Sequence, residues 1–439
     1  TRLGEGEHES VGVLLDATPF YPEAGGQVAD SGVLELPGGG MMEVVDVQAY
    51  AGFALHVGTI SKGSVKVGDE VTCKVDYERR RKIAPNHSMT HVLNFALKKV
   101  LGDDVAQKGS LVDESKLRFD FSYKGALSQE QLVNVEDICR EQIAQKLPVD
   151  AEVIPLDTAM SINGLRAVFG EKYPDPVRVL SIGNSVAEMV KAPESDAWAG
   201  ASLELCGGTH VGNTEEAKAF TLVQEEAVAK GVRRITAFTG EAALKTIKDA
   251  EKLETRFVAT EKLPAAELEG VLTELRKEVD AAEISSGLKA GLRVRLDALV
   301  KKYMAEKKAR ESQFVNEAIE TGKAKVEALV KEGTKGVVLE LDIGTDGKVL
   351  KSVVQGLSKQ CPTTPLMVIS SEGGKGVVLT SVPNDMQDKL SANDWLKAAL
   401  DAVGGKGGGR KDSAQGQIAD TANLAEAMEA AKKFAESKL

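Results

Sequence analysis

The chain has 439 residues, a formal net charge of −11 and 42% hydrophobic residues. That length predicts two to four domains, each with its own core. No apolar run approaches the ~18 residues of a membrane-spanning helix, so no membrane partner is expected. The acidic balance argues against indiscriminate nucleic-acid binding, although local cationic clusters can still hold phosphates. Four scattered cysteines (Cys73, Cys139, Cys206, Cys361) argue against a disulfide framework and for a reducing compartment, cytoplasmic or organellar. Residues 1–7 contain neither Met nor a signal-peptide core, as expected of part of a longer chain.

Residues 1–76 read as β. Val11, Val13 and Leu15 alternate with other residues, as do Phe53, Leu55 and Val57, and then Val71, Cys73 and Val75. Short strands separated by glycine-rich turns predict a small β-barrel. One segment does not fit a barrel strand: Pro19-Phe20-Tyr21-Pro22-Glu23-Ala24-Gly25-Gly26-Gln27. Its Gly pair sets Gln27 on a backbone able to approach a ligand closely. A plain connecting turn is the competing reading.

Residues 77–240 read as α+β. The basic run Glu78-Arg79-Arg80-Arg81-Lys82 precedes a helix that carries Asn86-His87-Ser88-Met89-Thr90-His91 and ends at Gly102. Gln107-Lys108-Gly109-Ser110 leads into an alternating strand at 117–121. Ser128 and Gln131 form a capping box for a helix whose stripe contains Leu132, Val135, Cys139 and Ile143, which makes Cys139 a core residue. Strands are expected near 153–154, 177–182, 220–223 and 234–238.

From 241 to 335 the sequence is rich in Lys, Glu, Ala and Leu. Two long helices are expected, with breaks near Pro264 and Ser285-Ser286-Gly287, forming a helical arm. Residues 336–439 read as an α/β domain with buried strands around 337–341, 366–370 and 376–380. Gly404-Gly405-Lys406-Gly407-Gly408-Gly409-Arg410-Lys411 interrupts its last helices, as a flexible linker or a phosphate cradle. The fold class expected is therefore multi-domain α+β, divided at 1–76, 77–240, 241–335 and 336–439.

Two histidines four apart share a helix face. Cys206-Gly207-Gly208-Thr209-His210 repeats that spacing downstream. His87, His91, Cys206 and His210 together make an N/S donor set suited to Zn²⁺. Four protein ligands normally close a structural site, so catalysis at the metal does not follow from spacing.

The ordered motifs Phe20-Tyr21-Pro22-Glu23-Ala24-Gly25-Gly26-Gln27, Asn86 to His91, Gln107 to Val112 and Cys206 to Gly212, with the glycine-rich end, closely resemble the editing half of alanyl-tRNA synthetases. The resemblance spans essentially the whole chain, with the aminoacylation core and its ATP site expected upstream. It implies zinc-dependent hydrolysis of the ester joining serine or glycine to the alanine tRNA. It implies His87, His91, Cys206 and His210 as zinc ligands, and Gln27, Lys108 and Gly109 beside the reacting ester. It implies tRNA(Ala) as partner, with Arg79, Arg80, Arg81, Arg233, Arg234, Lys406, Arg410 and Lys411 as candidate phosphate contacts. Homodimerisation through the arm and the C-terminal domain is a further implication. Two alternatives are a threonine-type editing domain, disfavoured by the 20–27 segment, and a zinc-stabilised tRNA-binding module without catalysis.

Overall fold

Alternation in the first 76 residues does produce strands, but they form an open sheet. The computed structural model describes residues 2–3, 10–167 and 172–439. Six strands, β1 (Arg2–Leu3), β2 (Ser10–Leu14), β3 (Gly32–Leu36), β4 (Gly40–Tyr50), β5 (Phe53–Lys62) and β6 (Thr72–Val75), are all antiparallel to their neighbours. Their order is β1-β2-β5-β4-β3-β6. The expected barrel is thus corrected: β1 and β6 are edges, and no ladder joins them among the described residues. Closure would need the two edges to pair with a stagger shared by every strand, and among the described residues they do not pair. Leu34, Leu36, Met42, Val44 and Val47 pack against Phe20 on the inner face. His56 is fully buried on β5. Its Nδ1–H donates to the Val13 carbonyl at 3.1 Å, and the Thr18 hydroxyl donates to Nε2 at 2.8 Å.

Asp76 leaves the sheet and caps α1 (Tyr77–Leu101), its carboxylate accepting the Arg79 N–H at 3.0 Å. Arg79, Arg80 and Arg81 therefore lie on the first turns of the histidine helix itself, not ahead of it. The helix continues through Pro85, which has no N–H to offer the preceding turn, and stops at Gly102 with φ 99°.

Next come β7 (Gln107–Val112), β8 (Leu117–Ser122), α2 (Gln129–Ala144), β9 (Val149–Ile154), α3 (Leu156–Met160), β10 (Val177–Ile182) and α4 (Val186–Lys191). β11 (Ser202–Leu205), β12 (Phe220–Ala229) and β13 (Val232–Thr239) complete two further sheets, β12-β13-β8-β7 and β11-β10-β9. The Ser128/Gln131 capping box starts α2. Its buried stripe of Leu132, Val135, Cys139 and Ile143 shares a core with Leu93 and Leu97 of α1 and with Phe119 and Phe121 of β8. Burial of each such side chain stabilises the fold by about 1.5–3 kcal/mol. That core holds the histidine helix in register with the sheet.

The arm contains three helices instead of two: α5 (Gly240–Glu261), α6 (Leu268–Ala281) and α7 (Ser286–Lys331). One break falls around Pro264; the other lies at 282–285, slightly ahead of the expected Ser285-Ser286-Gly287, whose Ser286 and Gly287 already belong to α7. The chain divides into two compact units, Thr1–Val300 and Lys301–Leu439, so α7 begins in the first and ends in the second.

The second unit adds β14 (Val337–Glu340), α8 (Gly347–Gln360), β15 (Leu366–Glu372), β16 (Lys375–Ser381), α9 (Ala392–Asp401), β17 (Lys406–Gly409), β18 (Ser413–Ile418) and α10 (Leu424–Lys438). Its sheet runs β14-β15-β16-β18-β17, with β14 parallel to β15 and the other pairs antiparallel. Met367, Ile369 and Val378 face a core containing Trp395, while Leu366, Val368 and Leu379 face a second containing Leu350. Burial on both faces explains the continuous apolar runs. The glycine-rich stretch is not a linker: Lys406 to Gly409 form the edge strand β17, paired with β18. Strand pairing there uses backbone alone, so it leaves no side-chain alternation to read. Among the described residues no helix is long and apolar enough to cross a membrane, and all four cysteines are free.

Candidate metal centre

Three segments of the first unit meet at one point. α1 brings His87 and His91 on one face, with ring centroids 5.3 Å apart. The loop after β11 brings Cys206 and His210, and the segment between β2 and β3 brings Gln27. One ligand atom from each of His87, His91, Cys206 and His210 falls within 4.8 Å of the others. Cys206 Sγ lies 3.2 Å from His210 Nε2 and 3.5 Å from His87 Nε2. A tetrahedral zinc with bonds of 2.0–2.3 Å separates its ligands by roughly 3.3–3.8 Å. The donors are close to that spacing.

The outward nitrogens set the ring orientations. His87 Nδ1 donates to Gln27 Oε1 at 2.6 Å, His91 Nδ1 to Glu204 Oε2 at 2.5 Å, and His210 Nδ1 lies 3.1 Å from Ser88 Oγ. His91 Nε2 is buried in the field of Cys206 yet has no hydrogen-bond partner among the described residues. Buried ring nitrogens rarely stay unpaired. An orphan nitrogen facing a thiol and two more imidazoles fits a bound metal, with Gln27, Glu204 and Ser88 as the outer groups such ligands need.

Electrostatics point the same way. Burial would raise the Cys206 thiol, but the charge of His91 and hydrogen bonds from His210 and His87 hold it far below the ordinary thiol range. That direction favours the thiolate, the form that binds metals. Burial opposes protonation of His91 as well, and the Glu204 and Cys206 charges overcome it, pushing His91 up to about 10. Glu204 is lowered despite its burial, by His91 and then Arg166. His210 is pushed down to about 3, chiefly by burial. A metal held here would need His91 as the neutral ring, with its Nε2 lone pair free.

Two glycines make the approach feasible. A Cβ on Gly208 would lie 2.0 Å from His87 Cε1, and one on Gly26, where φ is +85°, would lie 2.4 Å from Ser110 Oγ. Around Gly26 the backbone is stitched to β7: Val112 N–H donates to Gly26 O at 2.7 Å and Val28 N–H to Val112 O at 3.0 Å. Gln27 is fully buried. Besides His87, its Oε1 accepts the Thr209 N–H at 3.0 Å, and its Nε2 donates to Thr209 Oγ1 at 2.8 Å. Its amide is committed to the ligands and their loop. Arg178 braces the same loop from outside, its Nη1 donating to the carbonyls of Cys206 and Gly208 at 3.3 and 2.6 Å.

The other expected residues lie elsewhere. Lys108 is exposed at a bulge of β7, and Gly109 pairs with Asp120 of β8. It is Ser110 and Val112 of that strand that touch the Gly25-Gly26-Gln27 turn. Arg80 forms an ion pair with the buried Asp30, whose carboxylate also accepts the Tyr21 N–H at 2.7 Å. Arg79 donates to the Ala29 carbonyl and lies 3.5 Å from Glu114. These two arginines order the 19–30 segment, while Arg81 is exposed and bonds Glu78 at 2.8 Å. Arg233 pairs with Glu225, and Arg234 grips Asp120 with two bonds of 2.7 and 2.8 Å. In the second unit Lys406, Arg410 and Lys411 are exposed along β17 and the turn after it, with Lys411 3.5 Å from Asp388. Sequence reasoning missed Ser88, Asn94, Arg166, Thr209 and Glu204. Glu204 had a signal, since an extended residue two before Cys206 shares its face; Arg166 had none.

Family models match four stretches of the chain. They are "tRNA synthetases class II (A)" over residues 4–79, "Threonyl and Alanyl tRNA synthetase second additional domain" over 177–236, "Alanine--tRNA ligase domain" over 243–306 and "DHHA1 domain" over 333–437. The cytoplasmic alanine--tRNA ligase of Dictyostelium discoideum is 37% identical over 97% of this chain and 46% of its own length. The mitochondrial alanine--tRNA ligase of Saccharomyces cerevisiae is 46% identical over 66% of this chain and 30% of its own length. The chain thus spans about half the length, or less, of these curated relatives. The crystal structure of the C-Ala domain from Aquifex aeolicus alanyl-tRNA synthetase is 23% identical and covers 23% of this chain and 86% of that one, at a TM-score of 0.20 that says nothing of the fold. From the second additional domain to the DHHA1 domain, the chain belongs to the alanyl-tRNA synthetase family.

Proposed function

We propose that the chain is the editing and tRNA-binding part of an alanine--tRNA ligase. It hydrolyses the ester joining serine or glycine to tRNA(Ala), with zinc held by His87, His91, Cys206 and His210. The physical need is clear: an alanine pocket rejects an isostere bearing an added hydroxyl poorly, so a second, hydrolytic sieve is required. The observation that carries the reading is the convergence of a ring nitrogen from each of three imidazoles and the Cys206 sulfur within 4.8 Å of one another, joined by Gln27 to a glycine-turned segment.

When bound, zinc supplies Lewis-acid polarisation of the ester or of the attacking water. The protein's own groups hold that arrangement still. Gln27 and Thr209 fix the His87 ring, Ser88 the His210 ring, and Arg178 the loop of Cys206. Glu204, the carboxylate touching the ligands, is committed to His91, Asn94 and Arg166. Hydrolysis therefore rests on positioning and fixed electrostatics instead of a free carboxylate base. Lys108 and Gly109 enter this proposal only through β7, whose Ser110 and Val112 touch the Gly25-Gly26-Gln27 turn. For the tRNA backbone we assign Arg81, Lys406, Arg410 and Lys411 first, because they are exposed, Arg81 even while it bonds Glu78, whereas Arg79, Arg80, Arg233 and Arg234 are largely buried in internal ion pairs or carbonyl bonds. The finer division at 76, 240 and 335 and a homodimer through the arm and C-terminal domain belong to the same proposal, open to limited proteolysis and sedimentation.

A second reading, a zinc-stabilised tRNA-binding module without catalysis, is favoured by one observation: four protein donors close a tetrahedral site. Hydrolysis of Ser-tRNA(Ala), measured for this chain and for Cys206→Ala, separates the two. Loss of hydrolysis in the variant with correctly charged tRNA spared throughout supports editing. Binding of tRNA without hydrolysis by the unaltered chain leaves only the second reading.

A further inference from the structure

We infer that Glu204, seated by Arg166 and Asn94, is a positioning residue that fixes which ring nitrogen of His91 faces the metal. The inference rests on the metal-binding reading above. Three imidazoles turn their Nδ1 outward, but their partners differ in kind. His87 meets an amide oxygen, His210 a hydroxyl, and His91 a carboxylate. Only the last is charged, so His91 is the ligand whose basicity the protein raises most.

Glu204 is buried, 7% exposed on β11, and every hydrogen bond the structure gives its carboxylate comes from a donor. Oε2 accepts from His91 Nδ1 at 2.5 Å; Oε1 accepts from Asn94 Nδ2 at 2.8 Å and Arg166 Nε at 3.2 Å. Asn94 stands three residues after His91 on α1, so both reach Glu204 from one helix face. Arg166 is itself anchored, by Nη1 on the Ala201 carbonyl and Nη2 on Ser202 Oγ, each at 3.2 Å. Because Asn94 and Arg166 hold one oxygen, the other is left for His91 alone. In the neutral ring a proton on Nδ1 leaves the lone pair on Nε2, the buried nitrogen that has no hydrogen-bond partner among the described residues.

The chemistry identifies the informative variants. A glutamine at 204 offers one carbonyl oxygen and one NH₂ to three donors. Either His91 or the Asn94/Arg166 pair then faces an N–H, so Glu204→Gln cannot keep all of the arrangement. Arg166→Met leaves the Glu204–His91 bond but removes the anchor behind it.

The experiment uses the full chain. Zinc and cobalt(II) affinities are measured by competition with a chromophoric chelator, alongside cobalt absorption spectra. Thermal unfolding of the metal-free forms is followed too, with ¹⁵N NMR of histidine-labelled zinc-loaded protein. Glu204→Gln is expected to lose roughly 10–100-fold in affinity for both metals, to shift the cobalt spectrum, and to alter the His91 ring-nitrogen signals. Arg166→Met is expected to lose severalfold and keeps the test informative if the glutamine variant does not fold. A purely structural role would lower the metal-free melting temperature and leave affinity and spectrum as they were; that result overturns the inference. Failure of the unaltered chain to bind either metal would instead refute the metal reading itself.

Discussion

Gly208→Ala isolates the geometry of the centre from its donor chemistry. The residue carries no ligand atom, and its φ lies outside the left-handed region, so alanine brings no backbone strain of its own. The added methyl would lie 2.0 Å from His87 Cε1, 2.4 Å from His87 Nδ1 and 3.1 Å from Gln27 Oε1. Ordinary carbon–carbon contact begins near ~3.5 Å, so the His87 ring or the 206–210 loop must shift by about 1.5 Å. Metal–ligand bonds tolerate deviations of only about 0.2 Å. The His87–Gln27 bond would be disrupted in the same movement. We expect zinc affinity to fall at least ~100-fold, or about 2.8 kcal/mol, with the α-helical circular dichroism of the chain retained. Chelator competition on purified protein reads the affinity. A Gly208→Ala protein that binds zinc as tightly as the unaltered chain would show that loop and helix adjust freely, and would refute the argument from close packing.

Cys139 provides the contrasting case: it is fully buried in the α2 core, and burial pushes its thiol well up. Cys139→Ser buries a hydroxyl in that core and should cost about 1–3 kcal/mol in chemical denaturation, with the zinc-to-protein ratio unchanged; loss of zinc would place Cys139 among the ligands. His56 is lowered from 6.5 by burial, against hydrogen bonds to Val13 and Ala54. The unfolded chain therefore takes up the proton first, so this contribution to stability is complete above pH 6.5 and is lost as pH falls through the lower folded value. NMR titration should place the His56 midpoint below 6.5, and a midpoint at or above 6.5 would contradict its burial as a neutral ring. For the C-terminal cations, replacing Lys406, Arg410 and Lys411 together by Ala should flatten the dependence of log affinity for tRNA on log salt by roughly 0.7–0.9 per lost phosphate contact. An unchanged slope would remove them from the interface.

What could be read in the sequence followed from period and from pairing. Leu132, Val135, Cys139 and Ile143 mark a helix face, and α2 buries that stripe. The two spacing-four pairs announced a donor set, and the fold does gather His87, His91, Cys206 and His210. Three things were hidden for physical reasons. An open and a closed sheet share the same strand alternation, and the difference lies in whether the two terminal strands pair. The β17–β18 hairpin is built by glycines whose backbone pairs without side-chain pattern. Arg79 and Arg80 read as a charge run, yet their partners, the Ala29 carbonyl and Asp30, lie 50 residues away along the chain. The same distance in sequence hid Arg166 behind Glu204, 38 residues off. Gln27 was legible as a residue of the site, but its commitment to His87 and Thr209 depends on a contact across 182 residues.

The central claim is that zinc at these four donors is needed for hydrolysis of a mischarged alanine tRNA. The most direct measurement is the rate of Ser-tRNA(Ala) deacylation by this chain after exhaustive chelation, followed by titration with zinc. Activity is expected to fall with the metal and to return in proportion to zinc bound, saturating at one ion per chain. Full deacylation by protein shown to be metal-free would contradict it.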